Sequence, residues 1–123
     1  MSARVLIIDD SLMVRQQVSR TLSGAGFTIV EACDGIDGHE KLATTTNVRL
    51  IVCDVNMPRM NGVEFLEKLS TMGTSIPVVM LTTEGQPELI QKAKALGAKG
   101  WIVKPFKPEM LVAAAKKLAS TSA

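Results

Sequence analysis

Four apolar runs, far apart along the chain, each lead into polar residues at their carboxyl ends, and this repetition constrains the fold more than any other feature. Val5-Leu6-Ile7-Ile8 runs into Asp9-Asp10, and Leu50-Ile51-Val52-Cys53 runs into Asp54. Pro77-Val78-Val79-Met80-Leu81 runs into Thr82-Thr83, and Trp101-Ile102-Val103 runs into Lys104-Pro105. Continuous Val/Ile/Leu runs of this length read as strands buried on both faces of a parallel sheet. In such an open sheet the functional crevice lies beyond the carboxyl ends of the strands. All four runs therefore send their polar residues to one rim. Clustered carboxylates repel one another and call for a cation, which directs attention to metal and phosphate chemistry.

Between the runs, amphipathic stretches recur, so strand-like and helix-like segments alternate five times, as βα units do. The first strand, about 4–8, leads to a helix near 12–23 with Val14, Val18 and Leu22 at helical spacing, stopped by Gly24 and Gly26. Phe27 to Ala32 forms the second strand, and Asp34-Gly35 turns into a short helix carrying Ile36 and Leu42. The third strand, about 48–53, opens into a loop punctuated by Pro58 and Asn61-Gly62, then a helix with Phe65, Leu66 and Leu69 on one face. The fourth strand, about 77–81, precedes a helix opened by Pro87 whose Leu89, Ile90, Ala93 and Leu96 point inward. The last strand is about 100–103, and a final helix starts near Pro108 and ends in the small polar tail Ser120-Thr121-Ser122-Ala123.

A chain of 123 residues reads as one domain, able to bury roughly two thirds of its unfolded surface. Its net charge of +2 is too weak and too dispersed for a nucleic-acid partner. No apolar stretch approaches the roughly 20 residues of a membrane span, and the amino terminus does not read as a signal peptide. Two cysteines, Cys33 and Cys53, fit a reducing cytoplasm, with Cys53 serving as a small hydrophobe inside its run.

Asp9, Asp10 and Asp54 bring three carboxyls to one rim, where Mg²⁺ with its preference for oxygen ligands and phosphate would relieve their repulsion. A carboxylate is also a nucleophile toward phosphorus. Lys104 supplies a further cation for developing phosphoryl charge, and the Thr82 hydroxyl is a donor for a phosphoryl oxygen. Taken singly, each residue has a plainer role. An Asp after a strand commonly turns the chain or caps a helix, Thr82-Thr83 can cap the next helix, and a lone Lys-Pro is usually a solvated loop. Only the combination points to a site. Trp101 reads first as a packing residue, His39 as a partly buried structural one, and Met57 and Met60 as gap-filling around Pro58. Lys92, Lys94 and Lys99 read as a solvated face.

Asp9-Asp10, the stretch Asp54-Val55-Asn56-Met57-Pro58-Arg59-Met60-Asn61-Gly62, Thr82 and Lys104-Pro105-Phe106 together resemble the response-regulator receiver domain family, in its stand-alone chemotaxis-regulator form. The resemblance spans the whole chain. It implies an α/β flavodoxin-like (βα)5 three-layer sandwich with parallel strand order 2-1-3-4-5, residues 1–123 being a single receiver domain without an output domain. It further implies that Asp54 accepts a phosphoryl group from a histidine kinase. By the same resemblance Asp10, Asp54 and the Asn56 backbone carbonyl bind Mg²⁺, with Asp9 helping through bound water. Thr82 and Lys104 would contact the phosphoryl group, Asn56 and Glu84 would tune its lifetime, and the bond before Pro105 would be cis. Thr82 and Trp101 occupy the family's switch positions, although the family commonly has Tyr or Phe where Trp101 stands. His39 likewise stands where an apolar residue is usual.

The expected function is thus a two-component switch. It would catalyse only its own phosphorylation and dephosphorylation, and its output would pass to a separate protein docking on the fourth helix, fifth strand and fifth helix. Carriage of phosphate onward in a phosphorelay is the alternative. A phosphatase with an aspartyl nucleophile is disfavoured, because haloacid-dehalogenase-like enzymes need a second acid two residues on, where Asn56 stands. A flavin or nucleotide module is disfavoured too, since Asp9-Asp10 fills the first loop and no Gly-rich phosphate fingerprint is present.

Overall fold

Apolar runs become strands and amphipathic stretches become helices, in strict alternation. The computed structural model describes residues 3–121, with side chains up to residue 119. Strands β1 (Arg4–Ile8), β2 (Thr28–Ala32), β3 (Val48–Cys53), β4 (Val78–Thr82) and β5 (Gly100–Val103) alternate with helices α1 (Leu12–Gly24), α2 (Gly35–Thr44), α3 (Gly62–Ser70), α4 (Pro87–Ala95) and α5 (Pro108–Thr121). The strands form one sheet in the order β2-β1-β3-β4-β5, with every pairing parallel. This is the expected flavodoxin-like arrangement.

The period of two along each central strand divides its apolar residues between two cores. Val5, Ile7, Leu50, Val52, Val79 and Leu81 face α1 and α5, meeting Val18, Leu22, Leu111 and Ala115. Leu6, Ile8, Ile51, Cys53, Val78 and Met80 face the other way, toward Phe65, Leu66 and Leu69 of α3 and Ala93 of α4. Burying such a side chain fully is worth about 1.5–3 kcal/mol, so the three central strands dominate stability.

The helix starts are fixed locally. Ser11 caps α1 by accepting from the Val14 N–H, and Asp34 caps α2 by accepting from the Asp37 N–H. Asn61 and Glu64 form a reciprocal capping box on α3. Pro87 opens α4, where its missing N–H costs nothing.

Several expectations need correction. β5 is not buried on both faces, since Gly100, Trp101 and Ile102 are half-buried and Val103 is 49% exposed. It is an edge strand with β4 as its one neighbour. β2 starts at Thr28, after Phe27, and β4 extends to include Thr82. Leu89 and Leu96 pack on the core as expected, but Ile90 is only half-buried and joins neither core cluster. α5 ends at Thr121, inside the expected polar tail, its last turn of weak helix formers carried by the packed turns before it. Ser122 and Ala123 lie outside the described residues.

Register places the crevice. Ile8 stands opposite Ala32 on one side and Cys53 on the other. The residues after Ile8 and Cys53 must therefore emerge side by side. The chain leaves β1 toward β2 and returns to β3 on the far side, so this rim is also the point where strand order reverses.

Candidate functional site

Asp9 and Asp54 are the first residues beyond β1 and β3, and both are held by backbone bonds to neighbouring strands. The Asp9 N–H donates to the Ala32 carbonyl at 3.1 Å, and the Asp54 N–H donates to the Ile8 carbonyl at 2.9 Å. Both are buried, whereas Asp10 is exposed at the rim. Each of Asp9, Asp10 and Asp54 offers a carboxylate oxygen, and the three oxygens lie within 4.8 Å of one another.

Lys104 reaches into this cluster from the end of β5. Its Nζ donates to Asp9 Oδ2 at 2.9 Å and to Asp54 Oδ2 at 3.1 Å. The remaining oxygens are held by backbone amides: Ser11 N–H donates to Asp9 Oδ1 at 2.9 Å, and Val55 N–H donates to Asp54 Oδ1 at 2.7 Å. Burial pushes the Asp9 carboxyl above its ordinary range, and the hydrogen bond from Lys104 offsets only part of that. Burial pulls Lys104 down, yet Asp9 and then Asp54 outweigh it, so the ammonium titrates above its ordinary value and stays charged. One ammonium among three carboxylates still leaves unbalanced negative charge. An oxygen-only donor set of this kind suits a hard divalent cation better than zinc, which favours nitrogen and sulfur.

The loop after β3 is packed tightly against Asp54. Gly62 N–H donates to the Val55 carbonyl at 2.9 Å. A Cβ on Gly62 would collide with the Asp54 carbonyl oxygen, so only glycine fits there. Across the mouth, Asn56 Nδ2 donates to Glu84 Oε2 at 3.0 Å. Glu84 is tied further: its N–H donates to Thr82 Oγ1 at 3.3 Å, and its carbonyl accepts from Trp101 Nε1 at 2.9 Å. Thr82 itself is fully buried at the end of β4. The Lys104–Pro105 bond is cis, matching the expectation drawn from resemblance.

The structure thus joins Asp9, Asp10, Asp54 and Lys104 directly, and links Asn56, Glu84, Thr82 and Trp101 through Glu84. Met57 and Met60 pack against the core, Lys92, Lys94 and Lys99 are exposed, and both cysteines are free thiols. Sequence reasoning missed the contribution of Arg15, whose guanidinium donates to the Asp9 carbonyl at 2.6 Å and pairs with Glu31 at 3.2 Å. Its place one turn into α1 is a signal that points toward the rim, but the partner on β2 is not visible locally. Among the described residues no helix is long and apolar enough to cross a membrane.

Comparison with known proteins points to one family. The model of the response regulator receiver domain matches residues 5–116. The chemotaxis protein CheY of Treponema pallidum is 41% identical over 105 residues, covering 84% of this chain and 73% of that protein. The crystal structure of chemotaxis protein CheY4 from Vibrio cholerae superposes with a TM-score of 0.87 at 42% identity, covering 96% of this chain and 99% of that one. The CheX–CheY–BeF3–Mg²⁺ complex from Borrelia burgdorferi gives a TM-score of 0.87 at 26% identity, covering 94% of this chain and 87% of that one. With its parallel sheet, its acidic rim and these relatives in agreement, the chain belongs to the response regulator receiver domain family, which works in two-component signalling through phosphorylation of an aspartate.

Proposed function

We propose that Asp54 is the phosphoacceptor, receiving its phosphoryl group from a histidine kinase in a Mg²⁺-dependent reaction. One observation carries this reading: Asp54 shares the acidic cluster with Asp9 and Asp10, with one oxygen on Lys104 and the other on the Val55 N–H. Asp9, Asp10, Asp54 and the Asn56 backbone carbonyl would hold Mg²⁺, Asp9 through bound water. When bound, the ion supplies neutralising charge for the phosphoryl oxygens. An Asp54 oxygen attacks phosphorus, and the donor's bond to phosphorus breaks with its electron pair leaving on the donor. Lys104 stays charged and turns from Asp54 to the new phosphoryl group, which Thr82 also contacts by its hydroxyl.

Phosphorylation adds about −1.5 to −2 charge at this rim, which draws Thr82 and Lys104 inward. Glu84 is joined to Thr82, Asn56 and Trp101, so movement of Thr82 reaches the loop before α4 and then β5. The output surface is the face of α4, β5 and α5, where Val103 is 49% and Met110 56% exposed and the lysines of α4 are exposed as well. A separate downstream protein docks there. Asn56 and Glu84 shield the site mouth and set the lifetime of the phosphoryl group, which the protein itself removes. Free thiols at Cys33 and Cys53 support a cytoplasmic location.

The test is labelling with a small phosphoryl donor such as acetyl phosphate. Incorporation should require Mg²⁺, vanish in Asp54→Asn and fall in Asp10→Ala. Labelling that persists in Asp54→Asn would overturn the assignment.

A further inference from the structure

The guanidinium of Arg59 grips Asp34 with two hydrogen bonds, Nε to Oδ2 at 2.7 Å and Nη2 to Oδ1 at 3.1 Å. The pair is asymmetric. The Asp34 side chain is 4% exposed at the start of α2, while that of Arg59 is 55% exposed in the loop between β3 and α3. A paired, amide-bonded carboxylate at a helix start is already stabilised by its cap, since Asp34 Oδ1 also accepts from the Asp37 N–H at 2.9 Å. The second partner therefore serves the loop rather than the helix. The hydrogen bond from Arg59 lowers the Asp34 carboxyl below its ordinary range, as burial works against it.

The loop needs such an anchor. Arg59 has φ 62°, in the left-handed region that a long side chain avoids. The Met60 N–H donates to the Pro58 carbonyl at 2.6 Å, closing a three-residue turn about Arg59 of the rare left-handed γ type. Strained conformations persist only where their surroundings over-determine them. Here α2 supplies those surroundings on both sides of the turn. Arg59 is fixed to Asp34, and the Gly35 N–H donates to the Met60 carbonyl at 3.0 Å. Gly35 lies so close to Met60 that a Cβ would strike its backbone oxygen, so helix and loop are in direct contact.

The base of the same loop is closed by Gly62 N–H on the Val55 carbonyl at 2.9 Å. Residues 56–61 thus form a short arch, pinned at its foot beside Asp54 and at its tip on Asp34. Asn56 is the first residue of that arch.

We infer that Arg59 is a positioning residue: its forked contact with Asp34 holds the strained arch 56–61, and with it the Asn56 backbone, in the shape that the proposed Mg²⁺ site needs. This rests on the proposed Mg²⁺ site, with the Asn56 carbonyl as a ligand. Arg59 touches neither metal nor phosphate. Its loss weakens metal binding without removing any carboxylate or Lys104.

Mg²⁺ titrations followed by backbone amide shifts in nitrogen-15 spectra test this, using wild type, Arg59→Ala, Arg59→Lys and Arg59→Gly, each also checked for stability in urea. Arg59→Ala should bind Mg²⁺ roughly three- to ten-fold more weakly, with the largest apo shift changes at residues 56–61. At saturating Mg²⁺ its phosphorylation rate with acetyl phosphate should return to near wild type. Arg59→Lys, which keeps the charge but loses the fork, should fall between them. Arg59→Gly, which relieves the backbone strain but lacks the anchor, should resemble Arg59→Ala. Wild-type affinity in Arg59→Ala, or a loss of affinity matched by loss of folded protein, would overturn the inference. Absence of any Mg²⁺ response in wild type would instead overturn the metal site beneath it.

Discussion

The indole N–H of Trp101 donates to the main-chain carbonyl of Glu84 at 2.9 Å, tying edge strand β5 to the loop that leaves the acidic site. A phenylalanine at this position cannot make the bond, and a tyrosine would reach from a different atom. The one tryptophan of the chain is therefore both packed against the core and fastened to the residue that links Asn56 and Thr82.

Loss of that tether should loosen the β4–α4 loop while leaving the sheet intact. Trp101→Phe keeps an aromatic ring but removes the donor, a change of about 1 kcal/mol. Amide exchange at residues 83–86 should accelerate roughly five-fold, with β1 and β3 unaffected. In wild type, Mg²⁺ should shift Trp101 emission. Unchanged loop exchange in the variant would separate the indole from the loop.

Gly62 is constrained by contact rather than by conformational freedom, since a Cβ there would strike the Asp54 carbonyl and the Val55 backbone. Neither neighbour can rotate away. Gly62→Ala should destabilise the protein by ~3 kcal/mol, read as a lower urea midpoint, and should depress phosphorylation because Asp54 itself is displaced. A variant as stable as wild type would show that the loop yields freely.

His39 is buried, its ring stacked on Phe65 with centroids 4.4 Å apart, and neither ring nitrogen has a hydrogen-bond partner among the described residues. Burial, and then the charge of Lys68 on α3, lower its pKa below the ordinary value of 6.5. The folded state thus prefers neutral imidazole. Stability from this group is fully present above the unfolded pKa and is lost as pH falls through the folded one. Asp34 and Asp37 also have lowered values, but they start from 3.8 and so titrate beneath this window. The urea midpoint should drop between pH 7.5 and pH 5. His39→Leu should flatten that slope and, by removing unsatisfied nitrogens, add ~1 kcal/mol at neutral pH. An equal slope in the variant would contradict the assignment.

Lys104 neutralises Asp9 and Asp54 directly, so it occupies charge that a cation would otherwise supply. Lys104→Met should therefore bind Mg²⁺ several-fold more tightly while phosphorylating at least ten-fold more slowly, since the phosphoryl group loses its ammonium partner. Calorimetry and acetyl phosphate kinetics on the same preparation read the two effects. A parallel fall in both would mean that Lys104 serves chiefly to hold the rim together.

The strands and the site were legible for a common physical reason. Apolar runs buried on both faces show plainly in sequence, and parallel pairing sends their ends to one rim, so Asp9, Asp54, Thr82 and Lys104 could be grouped before any contact was known. β5 misled because an edge strand can keep the same apolar composition with only half the cover. The Arg59–Asp34 contact was not legible at all. It depends on a left-handed residue in a loop meeting a helix start 25 positions away, and no periodicity marks it. His39 is buried rather than partly buried, and its stacking on Phe65 appears only once α2 and α3 are packed.

Of the three clustered carboxylates, Asp54 alone is proposed to carry the phosphoryl group. Wild-type protein treated with acetyl phosphate and Mg²⁺, trapped by borohydride reduction and mapped by peptide mass spectrometry, tests it most directly. The reduced product should fall at Asp54 and nowhere else, and should be absent without Mg²⁺. Modification at Asp9 or Asp10 with Asp54 untouched would contradict it.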